Sequence, residues 1–235
     1  MVVVGALVLA AAAWAFLFRL PSDGLWSRTW VAAIGLSAYA LFGLARSGDL
    51  RTALGPVGVV PVATGLGVGV AWLVATHVGH SVLCRIFPSF LDRVSELYAL
   101  RSGDRIATMV GPVTAMGVAE ELLFRGTLQG RIGLVGAVAA YTAVQLVTAN
   151  WALTVAALLG GVIWGSLAWW QGGLLAPVLA HLVWTDALTF VWPLRGCGRR
   201  RDAADAGPLA GIADGAAGSC DGSPLAPDLT HPSAG

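Results

Sequence analysis

Two adjacent carboxylates, Glu120 and Glu121, stand with a cation in the run Gly117-Val-Ala-Glu120-Glu121-Leu-Leu-Phe-Arg125-Gly126. On a helix, Glu121 and Arg125 are four residues apart and share a face, so they can pair. Glu120 sits about 100° round the axis, which leaves its carboxylate free to point elsewhere. Further on, a histidine and a third acid fall in Ala176-Pro177-Val-Leu-Ala-His181-Leu-Val-Trp184-Thr185-Asp186. A buried carboxylate and an imidazole on separate helices of one bundle make a general acid/base site. Two plainer readings stand beside that one. Glu121 and Arg125 can be an interfacial ion pair that only orients a helix end, and His181 can be an interhelical packing or hydrogen-bonding residue. Placing charge at membrane depth costs about 3 kcal/mol per group even on insertion scales, so such groups face a bundle interior or water.

The elements that must position these residues are membrane helices. Of 235 residues, 57% are hydrophobic and 11% charged, with a mean hydropathy of +0.76. That balance excludes the soluble globular class. The net charge of +1 gives no reason to expect a nucleic-acid partner. Cys84, Cys197 and Cys220 have no CxxC metal spacing.

Residues 2–18 are continuously apolar but lack a basic leader, and read as a retained first span. Further spans are expected at about 30–45, 57–82, 106–124, 132–148, 153–170 and 174–191, about seven in all. Gly65, Gly67 and Gly69 are expected to pack helices in the third. Residues 85–105 suit an amphipathic helix on the membrane surface. From 196 the composition turns to Ala, Gly, Asp, Pro and Ser, which predicts a disordered tail over 196–235. The chain thus divides into N-terminal spans and surface connection (1–104), a motif-bearing helical region (105–195) and the tail. Ten of the 14 basic residues, including Arg199, Arg200 and Arg201, fall on one side of seven spans; Arg46, Arg51, Arg125 and Arg131 fall on the other. The positive-inside rule then places the C-terminus in the cytoplasm.

His77 and His80 lie three apart on one helical face. A metal would need further ligands that are not nearby in sequence, so the plainer reading is a pair of interfacial or hydrogen-bonded histidines.

The order Glu120-Glu121-x-x-x-Arg125, a polar position on the next helix and a histidine near the start of the last resembles the CPBP family of intramembrane proteases. These are related to CAAX prenyl endopeptidases and to bacteriocin-processing or Abi proteins. The resemblance covers about residues 105–195, including Gly160-Gly161-Val-Ile-Trp164-Gly165. It implies an all-α, polytopic transmembrane bundle in a bacterial plasma membrane, with its site in a cavity open to the bilayer. Its substrates would be membrane-associated or lipidated peptides or proteins. Glu120 would activate water, Glu121 and Arg125 would hold the local structure, and His181 would polarise the carbonyl or help bind water.

Two positions depart from the family pattern. The middle motif FxxxH is met by Tyr141-Thr-Ala-Val-Gln145, or in a shifted match by Asn150, so no histidine stands there. The last motif, HxxxN or HxxxD, has Thr185 at its fourth position. Asp186 comes one residue later, about 140° from His181 on a regular helix. Gln145 can orient a carbonyl or a water through its amide. An amide is a poor zinc ligand, so zinc, possible by resemblance, is not expected to be tightly held and no metal ligand is assigned.

Three functions are therefore compatible with the sequence. The first is a CPBP-type endopeptidase with Glu120, Glu121, Arg125, Gln145 and His181 in its site. The second is a catalytically impaired homologue acting as membrane scaffold or binding partner. A small transporter using Glu120 and His181 as a relay is the third, although the chain has no internal repeat of broken helices.

Overall fold

Each apolar run in the sequence becomes a helix, and glycines mark most of the breaks. The computed structural model describes residues 1–100 and 104–194. The helices are α1 (Val2–Phe18), α2 (Leu25–Ser47), α3 (Leu50–Leu54), α4 (Val59–Ile86), α5 (Pro88–Ala99), α6 (Ile106–Glu121), α7 (Gln129–Gln145), α8 (Trp151–Gln171) and α9 (Leu175–Asp186). A π-helical turn, Leu122–Leu128, joins α6 to α7, and another, Ala187–Val191, extends α9. No strand occurs among the described residues. The predicted tail over 196–235, with its arginine cluster, lies outside them, as does Arg101.

Four helical stretches are long and apolar enough to cross a membrane: Leu25–Ser47, Val59–Ile86, Ile106–Thr148 and Trp151–Gln171. Val2–Phe18 and Leu175–Val191 are apolar but shorter. The chain is thus an integral membrane protein of the helical-bundle type, and the expected count of seven spans is not established by length. The 43-residue stretch Ile106–Thr148 is broken at Gly133, whose φ of 71° and ψ of 173° are non-helical. A side chain rarely tolerates that left-handed region, so glycine suits the break. Beyond it α7 comes back far enough for Tyr141 to touch Glu120.

The largest apolar core joins α1, α2, α6 and α7 through small and branched residues, among them Ala6, Ala10, Leu36, Ala40, Leu123 and Val144. Helix α4 packs mainly on α9. A Cβ at Gly65 would stand 2.6 Å from the carbonyl oxygen of Ala176, and one at Gly69 would stand 2.8 Å from Cβ of Val183. The missing side chains of Gly65 and Gly69 let the α4 backbone come against Ala176, Leu179, Ala180 and Val183 of α9. Gly67 has nothing within 4 Å of its Cβ position, so only two of the three expected packing glycines serve that purpose.

Helix α5 forms within the stretch expected to be amphipathic. It buries Phe90 and Val94 against Cys84 and Ala152, while Arg93 and Glu96 pair at 2.8 Å on its exposed side. Asn150 caps α8 by accepting from the Leu153 amide at 3.2 Å and donates to the Arg93 carbonyl at 2.9 Å. That structural duty accounts for Asn150 without a place in a catalytic motif.

Candidate active site

Helix α6 delivers its two glutamates to different surroundings. Both are buried, and the π-helical turn that follows reshapes the backbone between them and Arg125. Thr127 donates to the Leu122 carbonyl five residues back at 3.2 Å, a reach suited to the wider turn.

Glu121 is fully buried and binds two partners through one oxygen. Its Oε1 accepts from Arg125 Nη1 at 3.1 Å and pairs with His181 Nδ1 at 2.8 Å. The i,i+4 pairing expected from the sequence is therefore present, and it lies inside the bundle. Arg125 also lies near the Gly161 carbonyl at 3.5 Å and sits 4.6 Å from the Tyr141 ring centroid. A carboxylate only accepts hydrogen bonds, so the bond to Glu121 puts the proton of a neutral His181 on Nδ1. Nε2 is then the nitrogen left to act. Stacking on Trp164, with centroids 5.4 Å apart and planes 17° apart, holds the ring from one side.

Glu120 turns the other way. Its Oε2 accepts from the Tyr141 hydroxyl at 2.5 Å, and Oε1 has no hydrogen bond among the described residues. A mostly apolar cavity of about 370 Å³ opens beside it. Its wall brings Glu120 of α6, Tyr141 and Gln145 of α7, and His181 and Thr185 of α9 to one space. Aromatic side chains, including Trp14, Trp26 and Phe90, line other parts.

Of the five residues expected in the site, Glu120, Gln145 and His181 thus share the cavity wall. Glu121 and Arg125 do not line it and touch the wall residues His181 and Tyr141 from behind. Gln145 is 2% exposed, and its Oε1 has no partner among the described residues. Asp186 does not join this group: its Oδ2 accepts from Thr114 at 3.0 Å, in keeping with the angular offset read from the sequence. In the sequence Tyr141 stands only as the aromatic of the middle motif. Its hydroxyl, where the family pattern has Phe, was the available signal for its contact with Glu120. Thr185 likewise occupies the fourth position of the last motif and lines the cavity.

The other histidine pair is structural in its contacts. His77 stacks on Trp192 at 3.8 Å and its Nε2 lies 3.1 Å from the Trp192 carbonyl oxygen, while His80 packs on Phe90. Zinc does not fit the cavity's donor set. Of the side chains that commonly bind zinc the wall offers one carboxylate and one imidazole, beside an amide and several hydroxyls, and no group of three or more His, Cys, Asp or Glu comes together among the described residues.

Residues 102–185 match the model of a family described as Rce1-like, type II CAAX prenyl endopeptidase. The motif resemblance therefore holds for the stretch that carries Glu120, Glu121, Arg125, Gln145 and His181. No curated protein and no solved structure matches the chain.

Proposed function

We propose that the protein is an intramembrane endopeptidase that hydrolyses a peptide bond of a membrane-associated or lipidated substrate. The observation that carries this reading is the convergence of Glu120, Gln145 and His181, from three helices, on one largely apolar cavity. The Rce1-like match over the same residues supports it.

In the proposed reaction a water lies between Glu120 and the substrate carbonyl. Glu120 takes a proton from that water as the new oxygen–carbon bond forms. Nε2 of His181 helps bind the water as an acceptor, its ring held by Glu121 and Trp164. The Gln145 amide donates to the oxyanion as the carbonyl becomes tetrahedral. As the carbon–nitrogen bond breaks, Glu120 returns its proton to the leaving amine. Glu121 and Arg125 fix the geometry without touching substrate.

The test is cleavage of a panel of membrane-anchored peptides, lipidated and unlipidated, by protein reconstituted in lipid. Wild type is compared with Glu120→Gln, each with added zinc and with chelator. Cleavage that disappears in the variant and ignores chelator is the expected result. Cleavage abolished by chelator overturns the metal-independent mechanism. A folded wild type that cuts no peptide of a broad panel moves the assignment to a non-catalytic binding partner, a reading that the glutamine at position 145 favours.

A further inference from the structure

Resting on the hydrolase reading, we infer that Tyr141 is the positioning residue of Glu120, holding one carboxylate oxygen so that the other faces the reacting water. A carboxylate on a helix side chain has several rotamers, and a general base works only when its oxygen meets the water at hydrogen-bond distance. The Tyr141 hydroxyl removes that freedom by donating to Oε2 at 2.5 Å. Oε1 is left without a hydrogen bond among the described residues, at the wall of the cavity.

The donor is itself held on several sides. The guanidinium of Arg125 lies 4.6 Å from the Tyr141 ring centroid, and Phe124 meets the ring edge-on at 4.8 Å. Across the helix interface Gly161 comes so close that a Cβ there would stand 3.3 Å from Cδ1 of Tyr141. Tyr141 is 5% exposed, so the phenol does not exchange this partner for bulk solvent. A ring clamped in this way transmits the position of the Glu121–Arg125 pair to Glu120. The buried ion pair behind the wall thereby orients both groups that face substrate: His181 directly, and Glu120 through Tyr141.

The test is Tyr141→Phe, which keeps the ring and its contacts with Arg125 and Phe124 and deletes only the hydroxyl. A freed base oxygen lowers kcat roughly 10- to 100-fold with KM unchanged. The same substitution in a Glu120→Asp background, where the shorter carboxylate no longer reaches the phenol, adds little further loss. Independently of turnover, labelling of Glu120 by dicyclohexylcarbodiimide, followed by mass spectrometry, accelerates several-fold in Tyr141→Phe because the hydroxyl no longer covers the carboxyl. Unchanged kcat, a loss carried by KM, equal losses in both backgrounds, or unchanged labelling each overturn the inference. If wild type cleaves nothing while Tyr141→Phe still accelerates labelling, the hydrolase reading fails and the positioning contact stands.

Discussion

Glu120 and Glu121 are neighbours in sequence and belong to two regions that work in opposite ways. Behind the cavity wall, Glu121 and Arg125 form a buried pair closed off from the cavity, in which one Glu121 oxygen takes both Arg125 and His181 of the wall while Oε2 is buried without a partner among the described residues. On the wall, Glu120 lines the cavity with one oxygen tethered by Tyr141 and the other without a hydrogen bond among the described residues. One step along a helix, a turn of about 100°, separates a structural acid from a candidate base. The closed region cannot lose a member without stranding a charge. The open region can lose its chemistry and keep its shape.

The largest expected effect therefore falls behind the wall. Glu121→Leu leaves the Arg125 guanidinium buried without its carboxylate, which costs about 3–5 kcal/mol. Thermal unfolding in detergent should show a midpoint lowered by roughly 10 °C. A variant as stable as wild type would mean that Arg125 reaches water, and the distinction between the two regions would collapse. Glu120→Gln is the converse case. The amide can still accept from Tyr141, so stability changes by less than about 1 kcal/mol. Cleavage by the same preparation falls about 1000-fold, within the range of a lost general base. A large stability loss in Glu120→Gln would place Glu120 with the structural acids.

The α4–α9 crossing extends the comparison to a region with no charge at its contact. There the fit is set by Gly65 and Gly69 against Ala176, Ala180 and Val183. Gly69→Leu forces a side chain into that contact and should cost about 2–3 kcal/mol, whereas Gly67→Leu, facing open space, should change stability by less than about 0.5 kcal/mol. Melting the two variants side by side checks the register. Equal destabilisation would mean that α4 is rotated relative to α9. Because α9 carries His181, Gly69→Leu should also depress cleavage through a displaced imidazole.

Much of this was legible from residue types, spacing and family resemblance. Apolar runs gave the helices, the i,i+4 interval gave the Glu121–Arg125 pair, and the angular offset of Asp186 removed it from the His181 site. What periodicity could not give was the environment of each polar atom. His181 Nδ1 binds Glu121, a long-range contact 60 residues apart that no helical pattern encodes. The π-helical turn over Leu122–Leu128 changes which side chains face which neighbour, and its apolar sequence looks like any membrane helix. Gly67 was grouped with Gly65 and Gly69 by composition, yet only residues four apart share the contacted face. Span count was least legible, because a glycine break inside one long apolar run and two short apolar helices do not register as equal crossings.

The smallest effect is expected far from either glutamate. Ala149 has φ 57° and ψ 19°, the left-handed conformation, between the 3-10 turn Leu146–Thr148 and the Asn150 cap of α8. A Cβ in that region costs about 1 kcal/mol. Glycine removes the clash and adds unfolded-chain entropy, which offsets part of the gain. Ala149→Gly should therefore stabilise by about 0.5 kcal/mol, a rise of about 1–2 °C in the unfolding midpoint. Its cleavage activity should match wild type, since the cap bonds of Asn150 to Leu153 and Arg93 remain. A fall in both stability and cleavage would show that the bend at Ala149 helps hold the Gln145 end of α7 at the wall. Position 149 would then belong to the open region rather than to the scaffold.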